Sequence, residues 1–170
     1  MIIVSDTTPL RYLIEIEEAH ILEIFYGKII IPPRVFTELQ GQNTPQKVMQ
    51  WIQKSPAWIE VRQADISLFT PQRHIQQGEH EAIALAIELS ADALLSDDGD
   101  AIKEAQRLNL PTVRLFNILE SAAENELLDL PSAITKIRQT TFRLPPLAII
   151  DAMLERDRLR KLNRSEGTNP

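Results

Sequence analysis

Cysteine is absent from the chain. That excludes a disulfide framework and a thiolate-held zinc site. Histidine is scarce, and His20, His74 and His80 fall at spacings that fit no zinc motif. No apolar run approaches the ~20 residues that a membrane span needs. The start, "MIIVSD", lacks the charged opening and apolar length of a signal peptide. A soluble cytoplasmic protein without membrane contact is therefore expected. A surplus of basic residues is also missing: the net charge is −6 and the isoelectric point about 5.1. That argues against a broad basic face for duplex DNA, whereas a local basic patch or a metal ion could still meet phosphate. There is no glycine-rich phosphate loop, no nucleophile elbow, no internal repeat and no low-complexity segment.

What is present is a core. The chain has 170 residues, 44% of them hydrophobic, which suits one domain with an appendage. "MIIVS", "KIIIP", "AWIEVRQ", "ADALLSDD" and "PTVRLF" read as strands, the third as an edge strand. Between them lie helices. Thr8 and Pro9 look like the cap and first turn of one, Gly27 and Gly41 like stops, and "GEHEAIALAIELS" is the strongest helical pattern. "DISLFTPQRHIQQ" fits no regular element. "NILESAAENELL", "PSAITKIRQTT" and the amphipathic "LAIIDAMLERDRLRKLNR" complete the helices. Alternating strands and helices predict an α/β fold, with a mostly parallel sheet between helical layers. The expected division is a domain over 1–145, a C-terminal amphipathic helix over 146–164 and a loose tail over 165–170.

In such sheets the working site lies off the carboxyl ends of the strands, so acids at strand tips carry weight. Asp6 follows "IIVS", and Asp97 and Asp98 follow "ALLS". Their carboxylates converge if these two strands are neighbours. Each also has a plainer reading as a cap or turn residue, and Asp100 could cap "AIKEAQ". On the "GEHEAIALAIEL" helix, Glu81 and Glu88 lie within ~20° of each other and mark the solvent stripe. Glu79 falls about 160° from Glu81 and shares a face with Ala82, Ile83 and Ala86. A carboxylate there is costly unless paired, protonated or bound to a cation. Glu38 flanks the apolar face of "RVFTEL". A carboxylate cluster free of lysine and histidine calls for neutralisation, and oxygen-only ligands suit Mg²⁺ or Mn²⁺. A metal held in this way hydrolyses phosphodiesters.

"IIVSDTTPL", "IIIPPRVFTEL", "GEHEAIALA" and "LLSDDGDA", in that order, resemble the PIN domain, within a subgroup of small prokaryotic proteins. The resemblance implies a three-layer α/β/α sandwich and a metal-dependent endoribonuclease using Mg²⁺ or Mn²⁺. It implies Asp6, Glu38, Glu79 and Asp98 as catalytic metal ligands, with Glu81, Asp97 and Asp100 as additional acids. Thr8 matches a hydroxyl that orients the first aspartate, and Ser96 opens the Ser-x-Asp pattern at the later strand tip. Many such proteins are toxins of toxin–antitoxin pairs, most of them dimers, so RNA, an antitoxin and a second copy are the expected partners. Glutamate in place of aspartate at position 79 and the "GDAIKEAQR" helix start depart from the toxin pattern. Arg156, Arg158, Arg160 and Lys161 are candidate RNA contacts, although a solvated mixed-charge face is the simpler reading. The alternative function is an inactive PIN-like binding or regulatory protein. A dehalogenase-type phosphatase is set aside because its Asp-x-Asp would need an acid where Thr8 stands.

Overall fold

The computed structural model describes residues 1–166. The chain forms two compact units, Met1–Leu115 and the residues from Phe116 onward. The expected boundary at 145/146 falls inside the second unit.

The first unit is built on a parallel sheet. Its strands are β1 (Ile3–Ser5), β2 (Ile29–Ile31), β3 (Ile59–Val61), β4 (Ala93–Leu95) and β5 (Thr112–Val113), in spatial order β3-β2-β1-β4-β5. β1, β2 and β4 are buried at every position, which is why they read as unbroken apolar runs rather than alternating ones. β3 and β5 are the partly exposed edges. The register sets Val4 beside Ile30 on one side and Leu94 on the other.

The helices are α1 (Thr7–Glu15), α2 (His20–Tyr26), α3 (Pro33–Glu38), α4 (Gln46–Gln53), α5 (Gln77–Glu88) and α6 (Gly99–Arg107). With the sheet they make the three-layer α/β/α sandwich. Pro33 starts α3 where its missing N–H costs nothing, and Pro32 before it is extended. Gly27 ends α2 at a φ of 74°, a conformation that favours glycine, and its N–H returns to the Glu23 carbonyl. α5 is the central helix: Ala82, Ile83, Ala84, Leu85 and Ala86 are all fully buried. They join Val4, Ile30 and Leu94 in one apolar cluster with Ala101 and Ala105 of α6.

Two caps differ from expectation. Asp6, not Thr8, caps α1, because its carboxylate reaches the Thr8 N–H two residues on. Asp98, not Asp100, caps α6, accepting from both Asp100 and Ala101. The irregular segment before α5 contains a single 3-10 turn, Ile66–Leu68.

The second unit holds most of α7 (Leu115–Glu124), with α8 (Leu130–Arg138) and α9 (Leu147–Glu166). Ile118, Leu119, Ala122, Ile134, Ile137, Ile150 and Met153 are buried in it, and the Phe116 and Phe142 rings stack at 5.9 Å. Ion pairs line α9. Arg156 meets Glu120 at 2.7 Å and Arg160 meets Glu124 at 2.8 Å. Arg164 pairs with Glu126, and Lys161 lies 2.8 Å from Asp129 and 2.9 Å from Asp157. α9 continues through Ser165 and Glu166, where the loose tail was expected, and residues 167–170 of that expectation lie outside the described residues.

Because Ile83 is fully buried in the cluster on α5, Ile83→Ala should cost about 2–5 kcal/mol. Urea unfolding should show a lower midpoint with an unchanged slope. A midpoint matching the wild type would contradict the central place of α5.

Candidate active site at the β1–β4 switch point

The strand order runs outward from β1 through β2 to β3, then returns to place β4 on the other side of β1. Such a reversal opens a crevice at the carboxyl ends of the two central strands. Asp6 leaves β1 at that point, and its N–H donates to the Leu95 carbonyl at the end of β4 (3.0 Å). The expectation that the two strand tips converge therefore rests on a main-chain bond.

Asp6 is 2% exposed. Burial holds its carboxyl well above the usual carboxylate range, and the charges of Asp97 and Glu79 push the same way. The Ser96 hydroxyl is buried and meets no partner at good hydrogen-bond geometry, but it stands close enough to Asp6 to ease its charge. The Thr8 N–H, at 3.1 Å, also helps. The contribution of Thr8 is thus its amide, and the hydroxyl that does orient an acid belongs to Thr7, which donates to Glu38.

Asp97 is bound by the Leu115 N–H, 3.2 Å from each carboxylate oxygen. Burial raises its pKa from 3.8 to about 6, against the opposing Leu115 amide and the Arg114 charge. Glu79 closes a capping box on α5, accepting from the Gln76 N–H at 2.7 Å. Burial raises it, with Asp98, Glu38 and Asp100 adding negative charge and the Gln76 amide opposing. Asp6, Glu38, Glu79, Asp97, Asp98 and Asp100 thus share one electrostatic field with Glu79 at its hub.

Glu38 is held on three sides. Thr7 donates from α1, and Arg34 Nε donates from one turn earlier in α3 at 3.1 Å. On the third side is Gly78, where a Cβ would come within 2.5 and 2.7 Å of the Glu38 carboxylate oxygens. The glycine before Glu79 is therefore a space left for an acid. Glu81 accepts the Arg34 N–H at 3.2 Å and ties α3 to α5, a task that its place on the solvent stripe did not suggest.

Arg156, Arg158, Arg160 and Lys161 are engaged with Glu120, Glu155, Glu124 and Asp129. Sequence reasoning missed Thr7, Arg34 and Gly78. The doubled threonine and the glycine of "GEHEA" were the available signals, but the partner of each lies more than 30 residues away.

As the side chains stand, no three acidic or histidine groups among the described residues converge as a ligand set. The donor chemistry nevertheless fits a hard divalent cation: oxygen atoms only, with a buried carboxylate at the centre that no cationic side chain contacts.

The match to a family model for the PIN domain extends over residues 2–157. None of the curated proteins matches the chain. Among solved structures, a PilT N-terminus domain protein from the hyperthermophilic archaeon Sulfolobus solfataricus is similar in fold. It superposes with a TM-score of 0.51 at 23% identity, over 72% of this chain and 93% of that one.

Two predictions follow from the site's physics. The folded chain keeps a proton on Asp97 that the unfolded chain has lost between pH 3.8 and about 6. Stability in the presence of chelator should therefore fall as pH rises through that window. Thermal melts should show this slope, and Asp97→Asn should lessen it, leaving the part due to Asp6 and Glu79, which burial also raises; an unaltered slope would contradict the assignment. Separately, Gly78→Ala should destabilise by about 1–3 kcal/mol through overpacking. Glu38→Ala in the same chain should recover most of that loss. Additive losses in the double-mutant cycle would mean that the two positions do not meet.

Proposed function

Because this chain belongs to the PIN domain family, we propose that its acidic crevice is the centre of a metal-dependent endoribonuclease. PIN domains are commonly nucleases and generally use divalent metal ions. The observation that carries the reading is Asp6, a buried carboxylate at the switch point with Asp97 and Glu79 as its charged neighbours. An isolated buried charge of this kind costs several kcal/mol (~) unless compensated. Asp6, Glu79 and Asp97 would hold Mg²⁺ or Mn²⁺, with Glu38 and Asp98 completing the ring and Glu81 and Asp100 at its margin. When bound, the ion supplies an activated water and charge stabilisation for the leaving oxygen of RNA.

The chain's own residues position the acids. The Thr7 hydroxyl and Gly78 fix where Glu38 lies. The Thr8 amide orients Asp6, and the Ser96 hydroxyl stands beside it. Glu81 holds the start of α3 against α5. A role as the toxin of a toxin–antitoxin pair, with an antitoxin covering the crevice, belongs to the same proposal. So does a homodimer, which the exposed Leu147, Ile149, Leu159 and Leu162 of α9 support.

One observation favours a second reading, an inactive PIN-like binding protein. Asp6, Glu79 and Asp98 each bind a main-chain amide at the start of a helix, a purely structural use of a carboxylate.

Calorimetric titration with Mn²⁺, followed by incubation with single-stranded RNA, separates the two. The wild type should bind saturably and cleave. Asp6→Asn with Asp97→Asn should do neither while remaining folded by circular dichroism, because both changes remove buried charge. Absence of Mn²⁺ binding at millimolar concentration would overturn the nuclease reading.

A further inference from the structure

The acids of the crevice repel an RNA phosphate, so a nuclease of this design needs a cation at its rim. The basic residues of α9 are occupied: Arg156, Arg158, Arg160 and Lys161 all bond to carboxylates. Arg34 is distinguished by its place, because the acid it touches, Glu38, is one of the charges felt by Glu79. Its side chain is 45% exposed, and its guanidinium uses only Nε, as that of Arg156 does toward Glu120 on α7. Among the described residues, Nη1 and Nη2 of Arg34 have no hydrogen-bond partner. Its root is fixed, because the Arg34 N–H is held by Glu81. An arginine with an anchored backbone, one bonded nitrogen and two free ones offers a planar fork to a phosphate group.

The other cations near the crevice are held differently. Arg73 and Lys103 face Asp100 at 3.7 and 3.9 Å, longer than a hydrogen bond, and Arg114, whose charge reaches Asp97, is already engaged. Glu38, which Arg34 touches, is one of the charges felt by Glu79, and Glu79 is one of those felt by Asp6. Arg34 is thus linked to the centre of the site through Glu38.

We propose that Arg34 is the residue that grips a backbone phosphate of single-stranded RNA next to the crevice, its free Nη1 and Nη2 donating to the phosphate while Nε keeps its bond to Glu38. This rests on the nuclease reading given above. It has two separable consequences. Removing the guanidinium removes one phosphate contact, so RNA affinity and its salt dependence both fall. It also removes a positive charge beside Glu38, so divalent cations bind more tightly. A residue that served only to hold the site together would weaken both.

The test compares the full chain with Arg34→Gln and Arg34→Lys, and with Lys28→Gln as a control. Lys28 precedes β2, at the opposite end of the sheet from the crevice, and pairs with Glu60. A fluorescently labelled oligoribonucleotide is titrated by anisotropy in Ca²⁺ at several salt concentrations, and Mn²⁺ is titrated by calorimetry without RNA. For Arg34→Gln, RNA binding should weaken about tenfold, and the log–log salt slope should drop by about 0.7, the value for one contact on a single strand. Mn²⁺ should bind at least as tightly as to the wild type. Arg34→Lys should keep most of the salt slope and lose part of the affinity, and Lys28→Gln should match the wild type. RNA affinity and salt slope unchanged in Arg34→Gln would overturn the role of Arg34 while leaving the nuclease reading intact. A parallel loss of Mn²⁺ and RNA binding would make Arg34 structural and also overturn it. A wild type that binds Mn²⁺ but no RNA would defeat the ribonuclease reading, and the role of Arg34 with it.

Discussion

The parallel pairing of β1 with β4 is the constraint on which the rest depends. It sets Ser5 beside Leu95 and ties the Asp6 N–H to the Leu95 carbonyl. Two strand ends from distant parts of the chain are brought within one residue's reach of each other. Everything acidic in the crevice is placed relative to that junction: Asp6 on one tip, Ser96 and Asp97 on the other, and Glu79 delivered by the helix that packs behind both strands. A slip of one residue in this pairing would turn Asp6 to the other face of the sheet. The apolar side chains of both strands oppose such a slip, because the same movement would also unpack Val4 and Leu94 from α5.

The price of this placement is a buried carboxylate. Asp6 has a serine hydroxyl and one amide for company, and two further acids nearby. Neither donor carries charge, so the compensation is partial. Glu79, Asp97 and Asp98 are restrained in the same way, by the Gln76, Leu115 and Ala101 amides, while Glu38 and Asp100 at the edge also face Arg34, Arg73 and Lys103 and Asp97 feels the charge of Arg114. Restraint by amides fixes where each carboxylate sits without cancelling its charge, and it leaves the field of the crevice available to an incoming cation. Electrostatic preorganisation of this type is the general route by which a fold prepares a site before its ligand arrives.

Much of this was legible in the sequence. The three apolar runs ending in "VSD", "IIP" and "LLSDD" gave buried parallel strands, and the phase of Glu79 on its helix identified an acid facing inward. The fold followed from strands alternating with helices. Three things were not legible, for a common reason. Gly78 reads as a helix-starting glycine until Glu38 is seen to fill the space above it. Thr7 and Thr8 are equivalent on paper, and only the turn after β1 decides that the first offers its hydroxyl to Glu38 while the second offers its amide to Asp6. Arg34 has an ordinary helical neighbour at Glu38, and its importance depends on what else surrounds that acid. Thr7 and Gly78 meet Glu38 from distant segments, and the Arg34 backbone is held by the equally distant Glu81, whereas caps and periodicities are local. Even the caps moved by two residues where Asp could replace Thr or another Asp, because neighbouring residues of equal capping strength leave the choice to the backbone.

The ladder of charges on α9 has a further consequence. Arg156, Arg160 and Arg164 recur every fourth residue, and Glu120 and Glu124 recur at the same interval on α7. Both series ascend together, so the charges fix the two helices as parallel and choose their facing sides. They do not fix the register. A slide of one turn, about 6 Å, would bring Arg160 to Glu120 and Arg164 to Glu124 with the pairing pattern almost unchanged. What breaks the repeat is Lys161, which bonds Asp129, the cap of α8, at 2.8 Å as well as the buried Asp157 of its own helix. A contact made to a third helix at one position acts as an index mark on a repeating scale.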